Sequence, residues 1–284
     1  MEDVVRHNCG FCVAHTLHDA YAFIRSLQHR GREAAGIAAV GEGRIDVIKW
    51  AGGVDRFDVT DLHKIFPSPS YHTYMAHVRY ATRGRKDAIL SDAHPHTLGG
   101  YLERRGNHIL IRDCEMAAVH NGQVDLSHVD DLDLTRMQSN CDTEALLYLY
   151  RRDGEHTFLR TVPGAYTMAI ADYRKRDVIV LRDRTGIKPG VLGWKDGKHG
   201  VASEDIAFRK NGGDFIEDLE PGDEVLIPAP FWPTFLDQAL WAGGVPKVVP
   251  PGEDGIVSVS TLEQAAGDRT RVLILNSPVN PSGR

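Results

Sequence analysis

Two strand–turn–strand patterns set the tightest limit on how this chain folds. "AGIAAV" at 35–40 and "RIDVIKW" at 44–50 flank the turn-like "GEG". "GAYTMAIAD" at 164–172 and "RDVIVLRD" at 176–183 are separated only by "YRK". Links this short can only join antiparallel neighbours, so both patterns predict hairpins. Further strand-like stretches are "CVAHTL" at 12–17, "YHTYMAHVRYAT" at 71–82 and "CEMAAVHNG" at 114–122. Between them, "LHDAYAFIRSLQHRG" at 17–31 has a helical stripe at Leu17, Tyr21, Ile24 and Leu27, ending at Gly31. "CDTEALLYLYRRDG" at 141–154 predicts a helix with Asp142 as N-cap and an end near Gly154. Hairpins grouped around inserted helices imply an α+β fold with antiparallel sheets, not an alternating parallel one.

The style changes near residue 225. "VLIPAPFWPTF" carries three prolines, and "VPPGEDG", "STLEQAAG" and "RVLILN" follow. Strand, helix, strand, helix, strand over about 60 residues predicts a second, α/β segment. The expected division is 1–8, 9–225 and 226–284.

Composition excludes several classes. A net charge of −6 over 284 residues offers little to nucleic-acid phosphates. No run of about 18 apolar residues suggests a membrane span, and "MEDVVRHN" is too polar for a signal peptide. Four cysteines make no disulfide framework, so a reducing, cytoplasmic compartment is expected.

Two of those cysteines lie in "HNCGFCVAH" as a C-x-x-C pair, Cys9 and Cys12. A redox dithiol would need a strand before it and a helix after it, and "VAHTL" reads as strand. Zinc would need two more ligands at matched spacing, and Cys114 and Cys141 are isolated. Cys12 therefore reads as a buried strand residue. Cys9 admits another role. A cysteine that becomes the first residue of a chain carries nucleophile and base together, because its α-amine has a pKa of about 7.7–8.0. Taken singly, "HNG" is a turn, Asp142 a helix cap, and His77 and His120 core hydrogen-bonding groups. "AHPH" at 93–96 reads as a loop, and no metal site is assigned.

Eight motifs in order change that balance: "CGF" at 9–11, "LQHRGREAAGI" at 27–37, "HVRYATRG" at 77–84, "HNG" at 120–122, "CDTEA" at 141–145, "GAYTMAI" at 164–170, "RDRTGIKP" at 182–189 and "ASED" at 202–205. Together they resemble the class II glutamine amidotransferases, in particular the glutaminase domain of the amidophosphoribosyltransferase family. The resemblance implies a four-layer αββα N-terminal nucleophile hydrolase sandwich. It also implies cytoplasmic ammonia release from L-glutamine in de novo purine biosynthesis, with no cofactor. Cys9 would be the nucleophile, freed by loss of residues 1–8, with Asn121 and Gly122 as oxyanion hole. Arg79 would hold the glutamine carboxylate and Asp142 its ammonium, with Thr82, Arg30 and Gly31 completing the pocket. The implied partners are L-glutamine and, for assembly, a homo-oligomer.

The family's phosphoribosyltransferase signature is missing from this sequence. Residues 221–250 and 271–284 instead resemble part of a fold-type I aminotransferase, whose pyridoxal phosphate (PLP) would meet Trp232 and Asn280. No Schiff-base lysine follows, so PLP chemistry and transamination are not expected. Three alternatives stay open: a non-catalytic fusion product, an inactive aminotransferase relative, and a Cys9–Cys12 redox or zinc module.

Overall fold

The structure is a computed structural model. It describes residues 9–80, 89–124, 126–128, 135, 137–139, 141–175, 177–183, 186–219, 224–231, 233, 235–236, 245–252, 255–267 and 269–275. Residues 1–8, Thr82, Trp232 and Asn280 lie outside that set. The described residues form two compact units, the first within 1–182 and 187–219, the second within 183–186 and 220–284.

Both expected hairpins are present. β2 (Ala34–Gly41) and β3 (Arg44–Ala51) pair from Gly41 opposite Arg44 to Ala34 opposite Ala51. β9 (Gly164–Asp172) pairs with β10 (Ile179–Arg182). The first sits in a nine-stranded sheet with β1 (Gly10–Ala14), β4 (Thr73–Arg79), β6 (Tyr101–Arg105), β7 (His108–Arg112), β11 (Val191–Lys195), β12 (Lys198–Ala202) and β13 (Asp214–Asp218), ordered β13-β11-β12-β1-β4-β2-β3-β7-β6. The second sits in a four-stranded sheet, β10-β9-β8-β5, with β5 (His96–Leu98) and β8 (Met116–Val124).

Side-chain alternation along these strands builds the layers. In β1, Phe11 and Val13 join a core that also holds Ala117 and Val119 of β8 and Ala169 and Ala171 of β9, so the two sheets face each other. Cys12 and Ala14 turn the other way, into a core with Phe23 and Ile24 of α1 (Leu17–Ser26), Leu62 of α2 (Val59–Ile65) and Phe208 of α4 (Ile206–Arg209). On the far side, Met116 and Ala118 of β8 and Met168 and Ile170 of β9 pack on Leu146, Leu149 and Phe158 of α3 (Asp142–Thr161). Helix, sheet, sheet, helix is the αββα sandwich.

Three elements depart from the sequence reading. "CVAHTL" stops at Ala14, because Thr16 caps α1 by accepting from Asp19 N at 3.0 Å. The expected helix 17–31 stops at Ser26 and gives way to a 3-10 turn, Gln28–Arg30. The helix that starts at Asp142 breaks at Gly154 (φ 70°), where an end was expected, and a second helical stretch runs from there to Thr161 and buries Phe158 on the sheet; α3 denotes the two together. Its N-cap is Cys141, and Asp142 is the first helical residue.

The second unit is a parallel sheet ordered β15-β14-β16, from β14 (Glu224–Pro228), β15 (Val245–Val249) and β16 (Thr270–Leu273). α5 (Val259–Ala265), capped by Ser258, lies between β15 and β16 in sequence. Because β14 belongs to this sheet, the second unit starts a few residues before the expected 226. Among the described residues no helix is long and apolar enough to cross a membrane.

Candidate active site

The site gathers where β1 begins, beside the ends of β4 and β8 and the N-terminus of α3. Arg30, on the 3-10 turn, donates from Nε to Cys9 O at 2.8 Å, and its Nη1 pairs with Glu204 Oε1. His29 Nε2 meets the other Glu204 oxygen at 2.9 Å. With its amide set so that each end meets a complementary group, Asn121 donates from Nδ2 to Cys9 O at 3.1 Å and accepts from Arg30 Nη2 at 3.2 Å. Thus Arg30 and the fully buried Asn121 fix the main chain of Cys9 from two sides.

The Cys9 sulfur is half-buried, 3.9 Å from Tyr80 O. Burial pushes its thiol up; a hydrogen bond with the Tyr80 backbone and the charges of Arg79 and Arg30 pull it back, and Asp142 pushes it further up. The thiol is therefore mostly protonated near neutral pH and needs a base before it attacks. All three expected charged groups, Arg30, Arg79 and Asp142, lie close enough to act on this one sulfur.

Close backbone packing makes that convergence possible. A Cβ on Gly31 would fall 2.4 Å from the Arg79 carbonyl carbon and 2.8 Å from Tyr80 N. Only glycine lets the Arg30 turn press against the end of β4. Arg79 itself is 9% exposed, with Nη2 3.4 Å from Asp92 Oδ2 and Nη1 3.9 Å from Glu33 Oε2. These long contacts leave donors of the guanidinium fork for a carboxylate ligand.

Asp142 Oδ2 accepts from Val124 N at 2.9 Å, and Oδ1 lies 3.7 Å from His120 Nδ1. Burial raises its carboxyl, but His120, the Val124 N–H and Cys141 outweigh that and hold it at about 2. It stays an anion at the α3 N-terminus, where the helix dipole also favours one. The Val124 bond fixes the orientation of Gly122. N–H groups alternate sides along a strand, and the Val124 N–H points away from β9 towards Asp142. The Gly122 N–H, two residues earlier, points to the same side, beyond the stretch of β8 that β5 covers, His96–Leu98 against Met116–Ala118. A Cβ at Gly122 would meet Ala165 O at 2.4 Å and His120 Nε2 at 2.6 Å.

Cys9, Arg30, Gly31, Arg79, Asn121, Gly122 and Asp142 are thus brought together; Thr82 is outside the described residues. Cys12 is not part of the group. It is fully buried on the α1 side of its sheet, burial pushes its thiol up, and all four cysteines are free. The sequence reading gave no role to Glu204, Asp92 or Tyr80. "ASED" marked Glu204 as part of an ordered motif, whereas nothing near Asp92 pointed to its pairing with Arg79. A cavity of about 620 Å³ lined by Gln123, Val124, Gly164, Ala165 and Lys188 lies at the same end of β8, next to Gly122 and the Val124 N–H that holds Asp142. Converging charge, not cavity size, locates the site.

Comparison with known proteins agrees with this geometry. Residues 106–221 match the glutamine amidotransferase domain family, and residues 210–284 match aminotransferase class I and II. The amidophosphoribosyltransferase of Bacillus subtilis (strain 168) is 29% identical over 222 residues, 73% of this chain and 42% of the relative. That of Staphylococcus aureus (strain Mu50) is 29% identical over 220 residues, 73% of this chain and 41% of the relative. The chain therefore spans about two fifths of the length of these relatives. A probable aspartate aminotransferase of Streptomyces griseus is 46% identical over 71 residues, 24% of this chain and 33% of the relative. The solved glutamine PRPP amidotransferase from B. subtilis, complexed with ADP and GMP, superposes with a TM-score of 0.55 at 19% identity, covering 92% of this chain and 71% of that one. This likeness carries the N-terminal nucleophile hydrolase fold. The chain contains a glutamine amidotransferase domain similar to that of amidophosphoribosyltransferases.

Proposed function

We propose that this glutamine amidotransferase domain, residues 9–219, releases ammonia from the side-chain amide of L-glutamine, in the cytoplasm, as a step of purine biosynthesis. The observation that carries the reading is the double anchoring of Cys9 by Arg30 and Asn121, with Arg79 and Asp142 in the field of its sulfur. Cleavage between Asn8 and Cys9 supplies the base. The new α-amine takes the thiol proton, and sulfur bonds to the glutamine amide carbon. The second N–H of the Asn121 amide and the Gly122 N–H receive the resulting oxyanion. Collapse breaks the C–N bond, the ammonium returns its proton to the leaving nitrogen, and ammonia departs. Water, with the amine again as base, hydrolyses the thioester to glutamate. Arg79 holds the substrate carboxylate and Asp142 its ammonium, so the glutamine backbone is recognised by opposite charges.

Hydrolysis of this kind needs no cofactor. The residues that would meet PLP, Trp232 and Asn280, lie outside the described structure, so no step is routed through that group.

A glutaminase assay on the purified chain tests the reading. Cys9→Ala is expected to abolish glutamate release, and Asn121→Ala to lower kcat by about 10²–10³, as for loss of one oxyanion donor. Turnover that survives Cys9→Ala contradicts the mechanism.

A further inference from the structure

Behind the site, four buried histidines line the space between β4, β8 and α3. His77 stacks on His94 at 4.0 Å between ring centroids, and His94 meets His96 edge-on at 4.7 Å. Cys141, the N-cap of α3, closes one side. One ring nitrogen each of His94 and His96 and the Cys141 sulfur all lie within 4.8 Å of one another.

Each of these two rings has one anchored nitrogen and one underused nitrogen. His94 Nε2 meets Thr143 Oγ1 at 2.8 Å, while its buried Nδ1 has no partner. His96 Nε2 meets Asp92 O at 3.3 Å, leaving Nδ1 against Ser139 Oγ at only 3.5 Å. An oxygen that fixes one imidazole nitrogen and leaves the other free is the usual outer support of a metal-ligating histidine. A buried nitrogen without a partner otherwise carries an uncompensated desolvation cost. The Cys141 thiol contacts Thr143 Oγ1 at 3.4 Å and Asp142 Oδ1 at 3.6 Å.

We propose that His94, His96 and Cys141 form a binding site for a thiophilic divalent cation of the zinc class, next to the glutaminase pocket. Two imidazoles and a thiolate match zinc or cobalt and mismatch magnesium or calcium, which take oxygen. Ligand atoms around tetrahedral zinc stand roughly 3.3–3.8 Å apart, so the three must draw in by about 1 Å. On coordination the thiol proton passes to solvent and the sulfur takes its place on the ion. The fourth position falls to water. Lys49, which donates to Ala93 O at 3.0 Å, opposes the cation; Glu144 and Asp92 act on Lys49 from the same region and offset it. The sequence assigned no metal here because His-x-His and Cys141 stand 45 residues apart and meet only when α3 docks on the sheet.

Cobalt titration of the full chain in a Cys9→Ala background tests the proposal without turnover, so its outcome is independent of the glutaminase reading. The expected result is one Co²⁺ per chain, a thiolate-to-cobalt charge-transfer band, and one-for-one displacement by Zn²⁺. Cys141→Ser should remove the band, and His94→Gln or His96→Gln should weaken binding at least about 10-fold, within the range set by lost metal ligands and supports. Absence of the band in the Cys9→Ala chain, or its persistence in Cys141→Ser, overturns the proposal.

Discussion

The two units solve the same problem, burying a sheet, with unequal resources. Among the described residues, the first stacks nine strands on four and covers both outer faces with helices, leaving Trp50, Phe11, Phe23, Phe158 and Tyr166 fully buried. The described part of the second has three parallel strands. Its apolar cluster rests on the fully buried Ile227, with Phe231, Phe235, Leu236 and Ile274 only partly buried around it. Parallel sheets normally need cover on both faces, yet α5 buries none of its residues, and Val248, Ile256, Val259 and Leu275 are exposed. The site sits in the unit whose frame is rigid enough to hold a sulfur, two guanidiniums and a carboxylate in register.

Native-state hydrogen exchange would show this contrast most strongly. Amides of β1, β4, β8 and β9 should exchange only through global unfolding, and those of β14–β16 at least about 100-fold faster through local opening. Equal protection of the two sheets would break the comparison.

A smaller effect tests the frame of the first unit. Asp46 is fully buried and accepts from Arg44 Nη2 at 2.7 Å, Arg112 Nη1 at 2.8 Å, Tyr71 OH at 2.6 Å and Asp113 N at 2.9 Å. Asp46→Asn should cost about 2–3 kcal/mol, below the value for a fully buried pair because both arginines reach solvent. Burial raises the Asp46 carboxyl, but Tyr71, Arg44, Asp113 N and Arg112 together hold it below its usual value. Its folded pKa is depressed, so its contribution is complete above the unfolded value, about 3.9, and is lost as pH falls through the folded one. Chemical denaturation across that range should show an acid loss in the wild type that is smaller in Asp46→Asn.

The smallest effect sharpens the comparison with one substitution placed twice. Ile37 and Ile227 are both fully buried. Ile→Val should cost about 0.5–1.5 kcal/mol at either position. At Ile37 it should lower the main unfolding transition; at Ile227 it should speed exchange in β14 and leave that transition in place.

The sequence resolved what is local and what is ordered along the chain. The β2–β3 and β9–β10 hairpins were legible because period and turn lie within a few residues of each other. Cys9, Arg79, Asn121 and Asp142 were legible as an ordered set, although each alone reads as ordinary. The stop at Gly154 was legible because glycine is a local break signal; the second helical stretch beyond it was not, because its docking of Phe158 on the sheet is a tertiary contact. Glu204 against Arg30, and Asp92 against Arg79, were hidden because the partners of such pairs are chosen by tertiary packing, not by spacing. The C-x-x-C was a misleading local signal: Cys12 faces α1, and Cys9 draws its surroundings from residues 21 to 133 positions away.

Everything proposed for the site depends on a free α-amine at Cys9. Intact-mass measurement of the purified chain tests it most directly. The account predicts a mass lower than the full sequence by Met1–Asn8, and retention of those residues in an inactive Cys9→Ala chain. A fully active protein that still carries Met1–Asn8 would contradict it.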